Sequence, residues 1–143
     1  MRALSLVLSG LFLGSIFFVS YASGEPIERS TQGYVIAYYF HGAFRCPTCR
    51  KLEQYSKEAI EANFKDALAS GKIIFKVVNV EEKGNEHFTK DYQLYTKSLV
   101  ISLVKDAKEV KSKNLDKIWE YAGDKQRFYD YVKEEVAAFL KEL

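Results

Sequence analysis

Residues Tyr34 to Phe40 read YVIAYYF, an unbroken run of β-branched and aromatic residues with no polar alternation. A strand with one wet face alternates apolar and polar side chains, whereas a strand covered on both faces does not. The run therefore predicts a central strand of a largely parallel sheet. It passes directly into HGAFRCPTCRKLEQY, where a glycine-containing loop gives way to helical composition. A buried strand feeding a helix is the start of a βαβ unit, and it places the chain in the α/β class.

The remaining segments extend that pattern. From Pro47 to about Ala69 the apolar residues Leu52, Tyr55, Ala59, Ile60, Phe64, Ala67 and Leu68 recur at helical spacing, with a break expected near Ser56. Gly71 suits the left-handed position that ends a helix. Ile73 to Val80 reads as a second buried strand, and a short helix is expected from about Asn85 to Tyr92. Ser98 to Val104 is a third strand, followed by a more polar strand from Lys108 to Lys113. Ala107 stands where glycine usually completes the tight turn between them. A helical piece around Ile118 and Trp119 precedes a last helix, capped by Asp124, with apolar positions Phe128, Tyr131, Val132, Val136, Phe139 and Leu140.

The N-terminal stretch is of another kind. After Arg2 the chain carries no charge until Glu25, and the span between is dominated by ALSLVLSGLFLGSIFFV. A positive start, an apolar core and the small residues Ser20 and Ala22 make residues 1–22 a signal peptide, with cleavage after Ala22. A retained anchor is the alternative, since the run is near the lower limit for spanning a bilayer. Residues 23–32 form a polar lead-in, and 33–143 the folded domain. Either way the domain is expected in the periplasm or outside the cell.

Charge and cysteine usage narrow the function. With 21 Lys+Arg against 19 Asp+Glu, the chain lacks the basic excess of a nucleic-acid binder. Its two cysteines, Cys46 and Cys49, are too close for a bridge between them to stabilise the fold much, because the closed loop is tiny. Their place is informative. Cys46-Pro47-Thr48-Cys49 lies where the buried strand has ended and the helix begins. There, unpaired backbone N–H groups and the helix dipole favour an anion, and a cysteine has a lowered pKa. Pro47 fits the first helical position. Cys46 is then the exposed nucleophile and Cys49 the resolving thiol one turn inside. Arg45, directly before Cys46, is expected to stabilise the thiolate further and to make the couple more oxidising.

A soft metal or metalloid is the alternative ligand of these sulfurs. Zinc wants four donors, and only His41, five residues before Cys46, could approach the pair; His87 is expected in solvent. His41 is either a strand-end residue with a satisfied hydrogen bond or a proton handler beside Cys46. The aromatic residues, Trp119 among them, are expected in the core rather than in a ligand cleft.

These segments resemble the thioredoxin superfamily over about residues 33–141. The resemblance implies a thioredoxin-like fold, a central mixed sheet of about four strands flanked by helices, with Cys46 and Cys49 as nucleophile and resolving cysteine. The stretch FHGAFRCPTCRKLE is similar to the F-H-G-x-x-R-C-x-T-C-x-x-L-E signature of a small exported bacterial group. That group is labelled as a nitrophenyl-compound nitroreductase subunit and is associated with arsenic resistance. No flavin is implied, the chain having neither length nor loops for one, and no other cofactor is expected. Two departures stand out: Arg45 replaces the tryptophan usual before the first cysteine, and Leu99, preceded by Ser98, stands where a cis-proline faces the dithiol. The only prolines are Pro26 and Pro47. The resemblance implies a role for the Ser98 backbone in pairing with substrate. Without the proline, a narrow protein or small-molecule redox partner is expected, with a membrane thiol-electron conduit as donor and the protein itself a monomer.

Overall fold

In the computed structural model, β1 (Tyr34–His41) lies inside the sheet as its apolar run requires, with Val35, Ala37 and Tyr39 wholly buried and Ile36 and Phe40 nearly so. Residues 33–143 are described; the signal peptide and lead-in assigned to 1–32 lie outside them. The sheet has four strands in the order β2-β1-β3-β4. β1 pairs in parallel with β2 (Ile73–Asn79), Val35 opposite Ile73, and antiparallel with β3 (Ser98–Lys105), Phe40 opposite Ser98. β4 (Lys108–Asn114) pairs antiparallel with β3. This mixed sheet with helices on it is a thioredoxin-like α/β fold, as the sequence led one to expect.

Side-chain parity on β1 and β3 assigns the two faces. Val35, Ala37, Tyr39, Leu99, Ile101 and Leu103 point into the main core. That core is closed by α1 (Pro47–Asn63), through Leu52, Ala59 and Ile60, and by α4 (Lys125–Leu140), through Phe128, Val132, Val136 and Phe139. The alternate residues Phe40 and Val100 join Leu94 on the opposite face, under the short helix α3 (His87–Asp91). Asp124 caps α4 as expected, its side chain accepting the Arg127 N–H at 3.1 Å. A 3₁₀ turn, Asp116–Ile118, supplies the helical piece before it. Among the described residues no helix is long and apolar enough to cross a membrane.

Three expectations need correction. The helix after the cysteines does not break near Ser56, whose hydroxyl donates back to Leu52 C=O at 2.7 Å within an unbroken turn. It breaks at Phe64, which leaves helical geometry (φ −134°, ψ 37°) before α2 (Lys65–Ala69). The second strand is not buried: β2 is at the sheet edge, Ile73 alone is buried, and Val77 is 43% exposed. A β-branched apolar run satisfies an edge strand as well as a central one, so composition could not separate them. The third helix starts at His87, two residues late. The Asp106-Ala107 turn, by contrast, forms without glycine, both residues adopting positive φ (50° and 60°).

Candidate active site

The strand–loop–helix join builds the site. Cys46 is the N-cap of α1, its backbone extended (φ −68°, ψ 162°), and Pro47 opens the helix. The Cys46 Sγ accepts the Cys49 N–H at 3.1 Å, the place a serine or aspartate oxygen usually takes. Cys46 C=O accepts the Arg50 N–H at 3.1 Å, the first helical hydrogen bond. The two cysteines are joined as a disulfide, Cα atoms 5.0 Å apart. Cys46 is half-buried, whereas Cys49 is only 3% exposed. One sulfur is thus reachable and the other sheltered, and the reachable one faces the positive end of α1.

Beneath this turn lies Tyr39. Its hydroxyl donates to Cys49 C=O at 2.6 Å, tying the strand to the first turn of the helix. Burial pushes its phenol up to about 12, against an opposing pull from the Arg45 cation. Tyr39 is therefore a neutral donor throughout the working pH range.

Two carboxylates engage the segment that leads to the dithiol. Arg45 does not stand free for the thiolate as its sequence position suggested: its guanidinium is ion-paired with Glu53 on α1. From the loop after β2, a Glu81 oxygen accepts the Ala43 N–H at 3.1 Å and so fastens the segment leading to Cys46. Its other oxygen lies so close to Gly42 that a Cβ there would strike it. Gly42 is thus a glycine because of close approach rather than an unusual backbone conformation.

His41 stands at the end of β1 with its Nδ1 2.8 Å from Gly42 O. Among the described residues no three His, Cys, Asp or Glu side chains gather as metal ligands. His87 is exposed, as expected. Leu99 is wholly buried in the main core, and Ser98, 4% exposed, donates its hydroxyl to Thr96 C=O at 3.0 Å. All peptide bonds in the described residues are trans. Where the resemblance puts a proline, the segment before β3 is instead held by Trp119, whose indole N–H donates to Lys97 C=O at 2.8 Å.

Several aromatic residues expected in the core are outside it. Phe44 is 76% exposed and Tyr95 94%, while Trp119 keeps one edge in solvent. Lys97 Nζ lies 6.0 Å from the Phe44 ring centre, which brings the β3 approach beside the dithiol loop. Tyr39, Glu53, Glu81, Lys97 and Trp119 were not read as site residues. The period of two along β1 does place Tyr39 on the helix-covered face. Glu81, Lys97 and Trp119 come from other segments, and only the fold brings them here.

No protein-family profile matches the chain, and no curated protein matches it. Among solved structures, the chain is similar to oxidised thioredoxin O2 from Arabidopsis thaliana (14% identity, 67% of this chain and 76% of that one, TM-score 0.39). It is similar also to Fasciola hepatica thioredoxin (24%, 65% and 82%, TM-score 0.38). A third is Chlamydomonas reinhardtii thioredoxin f2 (15%, 68% and 83%, TM-score 0.36). The fold assignment rests on the strand order, register and helix placement described above.

Proposed function

We propose that the protein is an exported thiol–disulfide oxidoreductase, a redox carrier that cycles Cys46 and Cys49 between dithiol and disulfide. The observation that carries this reading is the asymmetry of the pair: a reachable sulfur at the helix N-cap and a sheltered one in the first turn. In the reducing direction, the Cys46 thiolate attacks one sulfur of a partner disulfide and the other partner sulfur leaves as a thiolate. Cys49, having lost its proton, then attacks the Cys46 sulfur and expels the second partner thiol. The dithiol gives up two electrons and two protons, the partner disulfide takes them, and the Cys46–Cys49 bond forms. A thiol-carrying membrane conduit is the proposed source of electrons for the return.

Export rests on the charge and hydropathy pattern of residues 1–22. The narrower likeness to the small exported bacterial group rests on FHGAFRCPTCRKLE and on the later strand that begins Ser98-Leu99-Val100. A narrow partner is proposed because Leu99, preceded by Ser98, stands where the resemblance puts a cis-proline facing the dithiol.

The test is equilibration of the purified protein in glutathione buffers, with metal content assayed on the same sample. A reversible two-electron couple between about −120 and −270 mV is expected, the span of known dithiols of this type. Cys46→Ser should abolish exchange, and Cys49→Ser should trap a mixed disulfide. Absence of a couple, with a metal ion held by the two sulfurs, would overturn the proposal.

A further inference from the structure

Arg45 immediately precedes the N-cap sulfur, yet its charge is engaged elsewhere. Its guanidinium meets the Glu53 carboxylate, the two side chains 26% and 25% exposed, so solvent screens the pair only in part. Glu53 stands on α1 itself, one turn beyond Cys49, so the pair links the residue before the nucleophile to the helix that begins at it. Arg45 Nε and Glu53 Oε2 are both enclosed and neither makes a hydrogen bond, so the two side chains meet as opposite charges. The guanidinium thus keeps an unused donor near the start of α1. That its field reaches this region is seen at Tyr39, whose phenol it pulls down against burial.

We propose that Glu53 is a positioning residue that tunes the dithiol: by sharing the Arg45 cation it limits the stabilisation that cation gives the Cys46 thiolate. The inference deepens the thiol–disulfide reading and rests on it. A cation beside Cys46 favours the thiolate, which exists only in the reduced protein, and so makes the couple more oxidising. A carboxylate that takes up the cation returns part of that shift. Sequence position alone points to a more oxidising couple through Arg45; the Glu53 pair moderates that bias.

The other charged groups around the pair are accounted for. On α1, Arg50 and Lys57 line the same shallow depression as Arg45 and Glu53. From β1 the neutral Tyr39 approaches, and at the strand end His41. Glu81 reaches Ala43 from the loop after β2, and Lys97 lies over Phe44 from the approach to β3. Among the described residues, Glu53 is the one carboxylate in ion-pair contact with Arg45.

The experiment is a double-mutant cycle with two readouts on the full reduced protein: the pH dependence of Cys46 alkylation by iodoacetamide, and the glutathione equilibrium. Glu53→Gln should lower the Cys46 thiol pKa by about one unit, the lower end of what a nearby opposite charge does. It should move the equilibrium several-fold toward the dithiol, a tenfold move being about 30 mV for a two-electron couple. Arg45→Gln should raise the thiol pKa, and adding Glu53→Gln to it should have little further effect. Arg45→Lys should restore most of the dependence on residue 53, and Glu53→Ala should act in the same sense as Glu53→Gln. Equal shifts from Glu53→Gln with and without Arg45, or no shift at all, would overturn the inference while leaving the redox reading standing. A wild-type protein with no couple would overturn the redox reading itself.

Discussion

The two faces of the sheet are built differently. On one, α1 and α4 press Leu52, Ile60, Phe128, Val132 and Val136 onto the odd-numbered residues of β1 and β3, and all of these are wholly buried. On the other, Phe40, Val100 and Leu94 are covered by a five-residue helix and by rings that are themselves half-exposed. Tyr38, Phe88 and Tyr92 surround Phe40 there, with Phe88 and Tyr92 centred 5.1 and 5.5 Å from it. This thin face also mixes polar contacts into its packing. The Tyr92 and Ser102 hydroxyls both donate to the same Glu109 oxygen at 2.5 Å. The dithiol helix belongs to the thick face. Its first turn is tied to that face through Tyr39, whose hydroxyl donates to Cys49 C=O.

The contrast can be broken most directly by truncating one ring on each face. Phe128→Ala, on the thick face, should cost about 3–5 kcal/mol, the transfer loss plus the cavity left in a core that cannot collapse. Urea denaturation measures it. Phe88→Ala, on the thin face, should cost about 1–2 kcal/mol, because a half-exposed ring loses less apolar burial. Equal losses would show the two faces to be equally well packed. The hairpin joining β3 to β4 belongs to neither face and gives an internal reference. Ala107→Gly should stabilise by about 0.5–1 kcal/mol, relieving the positive φ at Ala107 at some entropic cost.

The smallest effect expected lies in the pH dependence of stability. Glu58 on α1 receives Lys125 and Tyr129 of α4, and Gln54 of its own helix. These hydrogen bonds, Lys125 foremost, pull its carboxyl from the ordinary 4.5 down to about 2. A depressed carboxylate contributes stability above its unfolded pKa, and that contribution is lost as pH falls from about 4.5 through about 2. Glu58→Gln should lower the urea midpoint slightly near neutrality, where the ionised contribution is lost, and flatten its fall across that window, so that variant and parent converge at the acid end. An unaltered acid limb would mean that the α1–α4 link gains nothing from this charge.

Much of this was legible before any coordinates. The non-alternating runs at 34–40 and 98–104 gave the central strands, because burial on both faces leaves a compositional trace. Helical spacing gave α1 and α4, and Asp124 its cap. The cysteine pair was found through its position between strand and helix. What stayed hidden is of two kinds. Ile73 to Val80 looked buried, because the apolar content of an edge strand does not record which side lacks a neighbour. The parts that Glu53, Glu81 and Trp119 play at the site are not legible in the sequence, because they depend on which segment folds against which. The charge of Arg45 was legible and its partner was not.

Gly42 and Glu81 carry a consequence for how such a chain can change over generations. A methyl group at position 42 and the carboxylate now at 81 claim the same space, and the carboxylate also holds the Ala43 amide. The side chain at 81 is flexible, so an alanine at 42 would not unfold the domain; it would turn the carboxylate away and free the approach to Cys46. Far apart in the chain, the two positions behave as one heritable unit. A lineage that gains a side chain at 42 must let the side chain at 81 swing aside or shorten, and find another tether for the loop, so the two sites should covary.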